Sequence, residues 1–184
     1  MDKVDLKIVQ SLQNDARQSI TDLAKETGIS RPTAMKRLDR MMKDKDIDIE
    51  TGINIRKLGF RVGCVGLDVK GAESRNKVEK FLLNCPRVLM ILCPFEKISF
   101  SVYVYGEDQK TLRSTIYSLA DLPNTNIAYV NYSDPPLHPK TFNIDINHEK
   151  GNITPCGKKC SECYSYQQEI CIGCPSVIDY KGPL

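Results

Sequence analysis

The run from Gly28 to Lys43, GISRPTAMKRLDRMMK, restricts the fold more than any other stretch of the chain. Gly28 tolerates a left-handed backbone and can end a helix. Ser30 is a good N-cap, and Pro32 fits only within a first turn. At about 100° per residue, Ala34, Leu38 and Met41 fall on one side, with Met35 and Met42 beside them. Thr33, Lys36, Arg40 and Lys43 fall opposite, and Arg37 stands at the border. From Ser30 to Lys43 there are five cations and one anion. Any solvated helix has a charged outside. What sets this one apart is the segment before it.

Val4, Ile8 and Leu12 recur every four residues, and Val9 widens their stripe, which predicts a helix over Val4–Asn14. Leu6 lies at the stripe's edge. Asp2 and Asp5 sit at its positive end. Asn14–Arg17 is a break. Ser19 and Asp22 form a capping-box pattern for a second helix, Ile20–Thr27, with Leu23 and Ala24 facing inward. A short helix, a turn at Gly28 and a basic-faced helix give the helix-turn-helix order, whose second helix enters a DNA major groove. Ile47 begins the exit.

With 184 residues, 41% of them hydrophobic, the chain can bury the cores of one or two small domains. No run of about 18 apolar residues exists, so no membrane span is expected. The first residues are too polar for a signal peptide, and the expected location is cytoplasmic. The net charge of +3 carries little information. Up to Glu50, ten cations cancel ten anions. Attraction to nucleic acid must therefore come from local clustering.

After Ile47 the rhythm changes. Ile49–Ile55 alternates loosely and reads as part of a linker strand over 49–60. Val65, Leu67 and Val69 alternate as a strand. Val78, Phe81 and Leu82 mark a helix over Glu73–Cys85, which Pro86 stops. Val88–Cys93 is a continuous apolar run. Phe100, Val102 and Val104 alternate. Leu112, Ile116 and Leu119 form a second helical stripe, and Asn126–Tyr132 is the last strand. The order strand, helix, strand, strand, helix, strand is ferredoxin-like, which, after an N-terminal winged or plain helix-turn-helix domain, gives an α+β fold overall.

Of eight cysteines, Cys64, Cys85 and Cys93 lie among apolar residues and are expected as core thiols. A Pro-rich break, Asp134–Pro139, opens a polar stretch to Thr154 that reads as a linker. The other five cysteines follow: Cys156, Cys160, Cys163, Cys171 and Cys174. In a reducing compartment such crowding points to metal rather than disulfides. Cys160/Cys163 and Cys171/Cys174 are two Cys-x-x-Cys pairs separated by seven residues. Two such pairs can complete a tetrahedral Zn²⁺ site, although the gap is shorter than the usual ribbon spacing of about 15 to 20 residues. Cys156 adds a Cys-x-x-x-Cys-x-x-Cys triplet, a spacing that also holds three irons of a [4Fe–4S] cluster. Zinc is the leading expectation, iron–sulfur the alternative, and metal-free thiols the third reading. His138 and His148 lack ligand spacing to the cluster and are expected as bystanders.

Asp5-x-x-Ile8-Val9-x-x-Leu12, Asp15-Ala16-Arg17-x-Ser19, Leu23-Ala24, Gly28-Ile29-Ser30, Thr33 and Arg37 together resemble the DNA-binding end of the Lrp/AsnC, or feast–famine, family. The resemblance implies that Ser30, Arg31, Thr33, Lys36, Arg37 and Arg40 lie near double-stranded DNA. Thr33 and Lys36 are best placed for base edges. Arg37, Arg40 and Lys43 suit phosphates, and Arg37 could equally pair with an internal carboxylate. The family usually has a Gly after the third helix, where this chain has Lys45-Asp46. The ferredoxin-like part resembles the family's regulatory, or RAM, domain, which implies a homodimer or higher oligomer and can imply a small-molecule effector. That effector role is assigned to no residue here, because Cys93–Lys97 lacks the glycine of the family's acidic turn. The tail also resembles small cysteine-rich metal-binding modules. Proteins similar to the family act as tetrapyrrole decarboxylases with a decayed helix-turn-helix. Here the basic face is intact, so the expectation is a DNA-binding transcription regulator, with an enzyme or a protein-interaction adaptor as alternatives. The expected organisation is a helix-turn-helix domain over 1–48, linker strand 49–60, RAM-type domain 61–133, linker 134–154 and metal-binding tail 155–184.

Overall fold

The computed structural model describes residues 1–95, 98–146 and 150–184. The chain forms two compact units, Met1–Thr51 and Gly52–Leu184.

The first unit contains helices α1 (Lys3–Asn14), α2 (Ile20–Thr27) and α3 (Arg31–Lys43). It has no strand and therefore no wing. Ile8, Leu23, Leu38 and Met41 meet in its core, flanked by Val9, Leu12, Ile20, Ile29 and Ile47. Each helix start has a side-chain cap. The Asp2 carboxylate accepts from the N–H groups of Val4 and Asp5, and the Asp5 carboxylate accepts in return from the Asp2 N–H. Ser19 accepts from Asp22 and Ser30 from Thr33. Gly28 ends α2 at φ 73°, where a Cβ would strain the backbone.

The exit from α3 uses a different residue for the same geometry. Lys45 sits at φ 56°. The Lys45 N–H donates to Met42 O at 3.2 Å, and the Asp46 N–H to Met41 O at 2.9 Å. This is a Schellman closure with lysine where glycine is favoured.

Asp5 also ties α1 to α3. Its buried carboxylate accepts from Arg37 Nη1 at 2.8 Å and Arg40 Nη2 at 2.6 Å. Arg37 also reaches Asp2 at 2.7 Å. The Asp2 N–H does most to hold the Asp5 pKa down at about 2; burial opposes it, and the Arg37 and Arg40 guanidinium groups add to the lowering.

In the second unit, β1 (Arg61–Val69), α4 (Ala72–Asn84), β2 (Val88–Leu92), β3 (Phe100–Gly106), α5 (Gln109–Ala120) and β4 (Thr125–Ser133) follow the predicted order. The sheet runs β2-β3-β1-β4, antiparallel throughout. Val65, Leu67, Phe100, Val102 and Val104 pack against Val78 and Leu82 of α4 and Leu112, Ile116 and Leu119 of α5. Asp108 caps α5 through the Thr111 N–H at 2.6 Å.

The face away from the helices is divided. Over one end, Ile55, Phe60 and Ile144 bury Val62 and Tyr105. The other end carries exposed Met90, Leu92 and Tyr129. Tyr129 lies across Gly66, where a Cβ would meet its ring at 2.3 Å, and its hydroxyl is 2.7 Å from Ser101 Oγ.

Three expectations change. The 49–60 linker strand is a single bridge, Ile53 to Phe142, followed by turns. The 134–154 linker is not loose. Phe142 pairs with Ile53, Ile144 is buried, and Arg56 donates to Pro135 O. These contacts are long-range and leave no periodic trace. Among the expected core thiols, Cys93 is exposed and Cys64 and Cys85 are half-buried. Cys93 lies beyond the last residue of β2, where the chain leaves the sheet. Glu96, Lys97 and His148 lie outside the described residues.

Two outcomes follow from the first unit. Lys45→Gly should raise its stability by about 1 kcal/mol by removing a Cβ from a left-handed position, read as a higher urea midpoint at unchanged slope. For Asp5 the folded pKa, about 2, lies below the ordinary 3.8. A depressed carboxyl contributes stability above its unfolded pKa and loses it as pH falls through the folded one. The unit should therefore weaken between about pH 4 and pH 2, and Asp5→Asn should flatten that part of the acid-unfolding curve.

Candidate functional site

The first site is the outer face of α3. Ser30 caps the helix, and its Oγ lies 2.7 Å from Thr33 Oγ1. Arg31, Thr33, Lys36 and Lys43 are exposed. Among the described residues, no ion pair engages Arg31, Lys36 or Lys43. Arg37 and Arg40 differ. Both are committed to Asp5, with side chains 28% and 49% exposed. Arg37 thus takes the internal carboxylate that its border position allowed. Arg40 takes it too, which the helical wheel does not indicate, because a long guanidinium can fold back over the helix end of α1. The hydrogen bonds that Arg37 donates to Asp2 and then to Asp5 raise its pKa further. Each guanidinium has five donors, so both keep capacity for a second anion. Met35 and Met42, beside the buried stripe, are exposed.

The second site is in the tail. Residues 154–158 close a turn in which the Thr154 N–H donates to Lys158 O at 2.9 Å and the Lys158 N–H returns to Thr154 Oγ1 at 3.0 Å. Gly157 supplies the positive φ of 78°. The Cys160–Cys163 pair turns through a short 3₁₀ segment, with the Cys163 N–H donating to Cys160 O at 3.0 Å. The Cys171–Cys174 pair turns at Gly173, φ 92°, where a Cβ would meet Tyr180 Cα at 3.1 Å.

The tail is anchored to the sheet domain by a buried ion pair. Arg87 Nη1 bonds Glu107, and Arg87 Nη2 donates to Gly173 O at 2.5 Å. Tyr180 donates its hydroxyl to the other Glu107 oxygen at 2.5 Å. Burial opposes the Arg87 charge, but adjacent Glu107 outweighs it and raises the pKa above its ordinary value. Burial, then the hydrogen bond to Glu107, raises the Tyr180 pKa. Lys158 bonds Asp121 at 2.6 Å at the rim.

This docking brings all five tail thiols around one cavity of about 80 Å³, walled by Phe81 and Leu119. Cys85, from the end of α4, lines it as well. Burial pushes the Cys85 thiol up to about 12 and raises Cys160 and Cys174. Thr154 Oγ1 lies 3.0 Å from Cys156 Sγ, and Ser176 Oγ 3.2 Å from Cys174 Sγ. All eight cysteines are free. Sequence reasoning missed Cys85, Arg87, Glu107 and Tyr180. Cys85 and Arg87 flank Pro86 at a helix-to-strand junction, an ordinary place for a structural residue. His138 is exposed, as expected, and lines a separate cavity of about 470 Å³ on the open sheet face with Cys64, Tyr103 and Phe142.

Comparison with known proteins agrees with the three-helix unit and with the sheet. A family model described as an AsnC-type helix-turn-helix domain matches residues 1–42. The Regulatory protein AsnC of Haemophilus influenzae is 29% identical over 124 residues, covering 66% of this chain and 76% of that protein. The HTH-type transcriptional regulator Ptr1 of Methanocaldococcus jannaschii is 33% identical over 82 residues, 44% of this chain and 55% of that protein. Among solved structures, the Mycobacterium tuberculosis leucine response regulatory protein LrpA superposes with a TM-score of 0.68 at 15% identity, covering 76% of this chain and 97% of that one. Escherichia coli AsnC gives 0.62 at 21%, covering 76% and 94%. The capped helix-turn-helix, the βαββαβ sheet and these likenesses agree: residues 1–42 match an AsnC-type helix-turn-helix domain, and the chain has the fold of the solved Lrp and AsnC proteins.

Proposed function

We propose that this chain binds specific double-stranded DNA through α3, as a dimer or larger homo-oligomer, and that its tail binds metal through thiolates. The observation that carries the DNA reading is the set of exposed side chains on a capped, packed helix: Thr33 and Lys36 in its first half, Arg31 and Lys43 at its ends. Thr33 and Lys36 would meet base edges, since the N-terminal part of a recognition helix reads the major groove. Arg31 and Lys43 would hold phosphates, and Arg37 and Arg40 would add a shared contact while keeping α1 on α3.

Self-association would use the open end of the sheet, where Met90, Leu92 and Tyr129 are between 37% and 46% exposed. A two-fold pair of recognition helices would suit a pseudo-palindromic site. The enzyme alternative gains no support from the first unit, whose helices and caps are complete. No helix among the described residues is long and apolar enough to cross a membrane.

Lys36→Ala should weaken specific binding by about 1–3 kcal/mol with an unchanged unfolding midpoint, measured by fluorescence anisotropy on a selected operator. Lys43→Ala should instead reduce the slope of log K against log salt by about 0.9. Arg40→Ala should lower both affinity and stability, because it also strips a partner from buried Asp5. Wild-type affinity in Lys36→Ala would refute the reading of α3. For the oligomer, Met90→Glu with Leu92→Glu should yield monomers in sedimentation equilibrium; an unchanged mass would rule out this sheet face.

A further inference from the structure

We propose that the tail cavity takes a polynuclear iron–sulfur cluster, of the [4Fe–4S] type, rather than a single zinc ion. This deepens the metal-binding reading above and rests on it. The argument is the arrangement of the thiols. A tetrahedral Zn²⁺ site, with Zn–S near about 2.3 Å, draws four sulfurs to within about 4 Å of one another. Here Cys156, Cys160, Cys163, Cys171 and Cys174 stand around a shared cavity of about 80 Å³. Among the described residues, no three Cys, His, Asp or Glu side chains converge on one ion. Sulfurs spread around a volume suit a cluster, whose irons occupy separate corners and each take one thiolate.

The surroundings fit the same group. The walls include Phe81 and Leu119, and apolar walls exclude solvent from a cluster. Two hydroxyls, Thr154 Oγ1 and Ser176 Oγ, lie within 3.2 Å of Cys156 and Cys174 sulfurs. The Thr154 hydroxyl donates to Lys158 O at 2.9 Å, whereas toward a thiolate the Ser176 hydroxyl can act only as a donor, the type of contact that tunes a cluster's potential. Four thiolates on a [4Fe–4S]²⁺ core leave a net charge of −2; Arg87 and Lys158 line the cavity, each already paired with a carboxylate, Glu107 and Asp121. On binding, four thiols release four protons, and four S–Fe bonds replace the four S–H bonds. Cys85 lines the cavity from a helix end of the sheet domain, and five tail thiols already exceed the four required.

The test is the full chain purified without oxygen and, separately, the apoprotein reconstituted with sulfide and equal amounts of ferrous and ferric iron, so that two Fe²⁺, two Fe³⁺ and four S²⁻ balance to the [4Fe–4S]²⁺ core. About four irons and four acid-labile sulfides per chain, with a broad absorption band in the visible, are expected. Cys160→Ser and Cys174→Ser should lose iron, and Cys85→Ala should retain it. A colourless chain with one zinc, which cannot be loaded with iron and sulfide, would overturn the cluster and leave thiolate metal binding standing. A chain that takes up neither would overturn both. Iron lost in Cys85→Ala would overturn ligation by the tail alone. Circular dichroism of each variant separates lost ligation from lost folding.

Discussion

The second unit depends on one buried contact, the Arg87–Glu107 ion pair. Arg87 leaves α4 just past Pro86, and Glu107 follows β3, so neither belongs to the tail. Each also reaches into the tail. Arg87 donates to Gly173 O and Glu107 accepts from the Tyr180 hydroxyl. A buried pair is worth little against a hydrophobic replacement, but removing one member leaves an uncompensated charge. Loss of either side chain would therefore both cost stability and release the tail. The pair fixes where the Cys171–Cys174 turn sits and hence where the cavity closes.

A single carboxylate has a comparable effect in the first unit. Asp5 caps α1 and receives two arginines of α3, so it fixes the azimuth of α3 relative to α1. It also sorts the cations of α3. Arg37 and Arg40 are held, whereas Arg31, Lys36 and Lys43 stay solvated. A basic face read from a helical wheel treats these residues as equivalent, and the packed structure does not.

That difference marks how far the sequence can be read. Helix starts were legible because Ser19, Ser30 and Gly28 act within a few residues of themselves. The sheet was legible because Val65-Leu67-Val69 and Phe100-Val102-Val104 alternate at the strand period. Ile53, Phe142 and Ile144 were not, because their partners lie far along the chain and no periodicity announces a segment that crosses a sheet once. Lys45 hides a glycine-type closure, since a left-handed residue without glycine leaves no signal. Tail cysteines were identifiable from spacing. Their placement around a cavity with Cys85 was not, because Cys85 lies more than seventy residues upstream of Cys156.

The tail raises an energetic question that hydrophobic burial does not answer. From residue 151 onward, only Thr154, Cys160, Gly173, Pro175 and Val177 are fully buried. Ile153, Tyr164, Ile170 and Ile178 are exposed. A segment that buries only Val177 fully among its large apolar side chains gains little from leaving water. What orders it must be polar anchoring and whatever its thiols hold. The anchors sit at Gly173, Tyr180 and Lys158. None of them bonds the Cys160–Cys163 turn, which meets the anchored pair through the Cys174 backbone N–H at the Cys160 thiol. Ligation through that turn would bind it to the anchored Cys171–Cys174 pair, and the binding energy would become folding energy for the tail. A side of the cavity belongs to α4 and α5, through Phe81, Ser114 and Leu119. Any change in what the thiols hold would thus act on the helices that back the sheet.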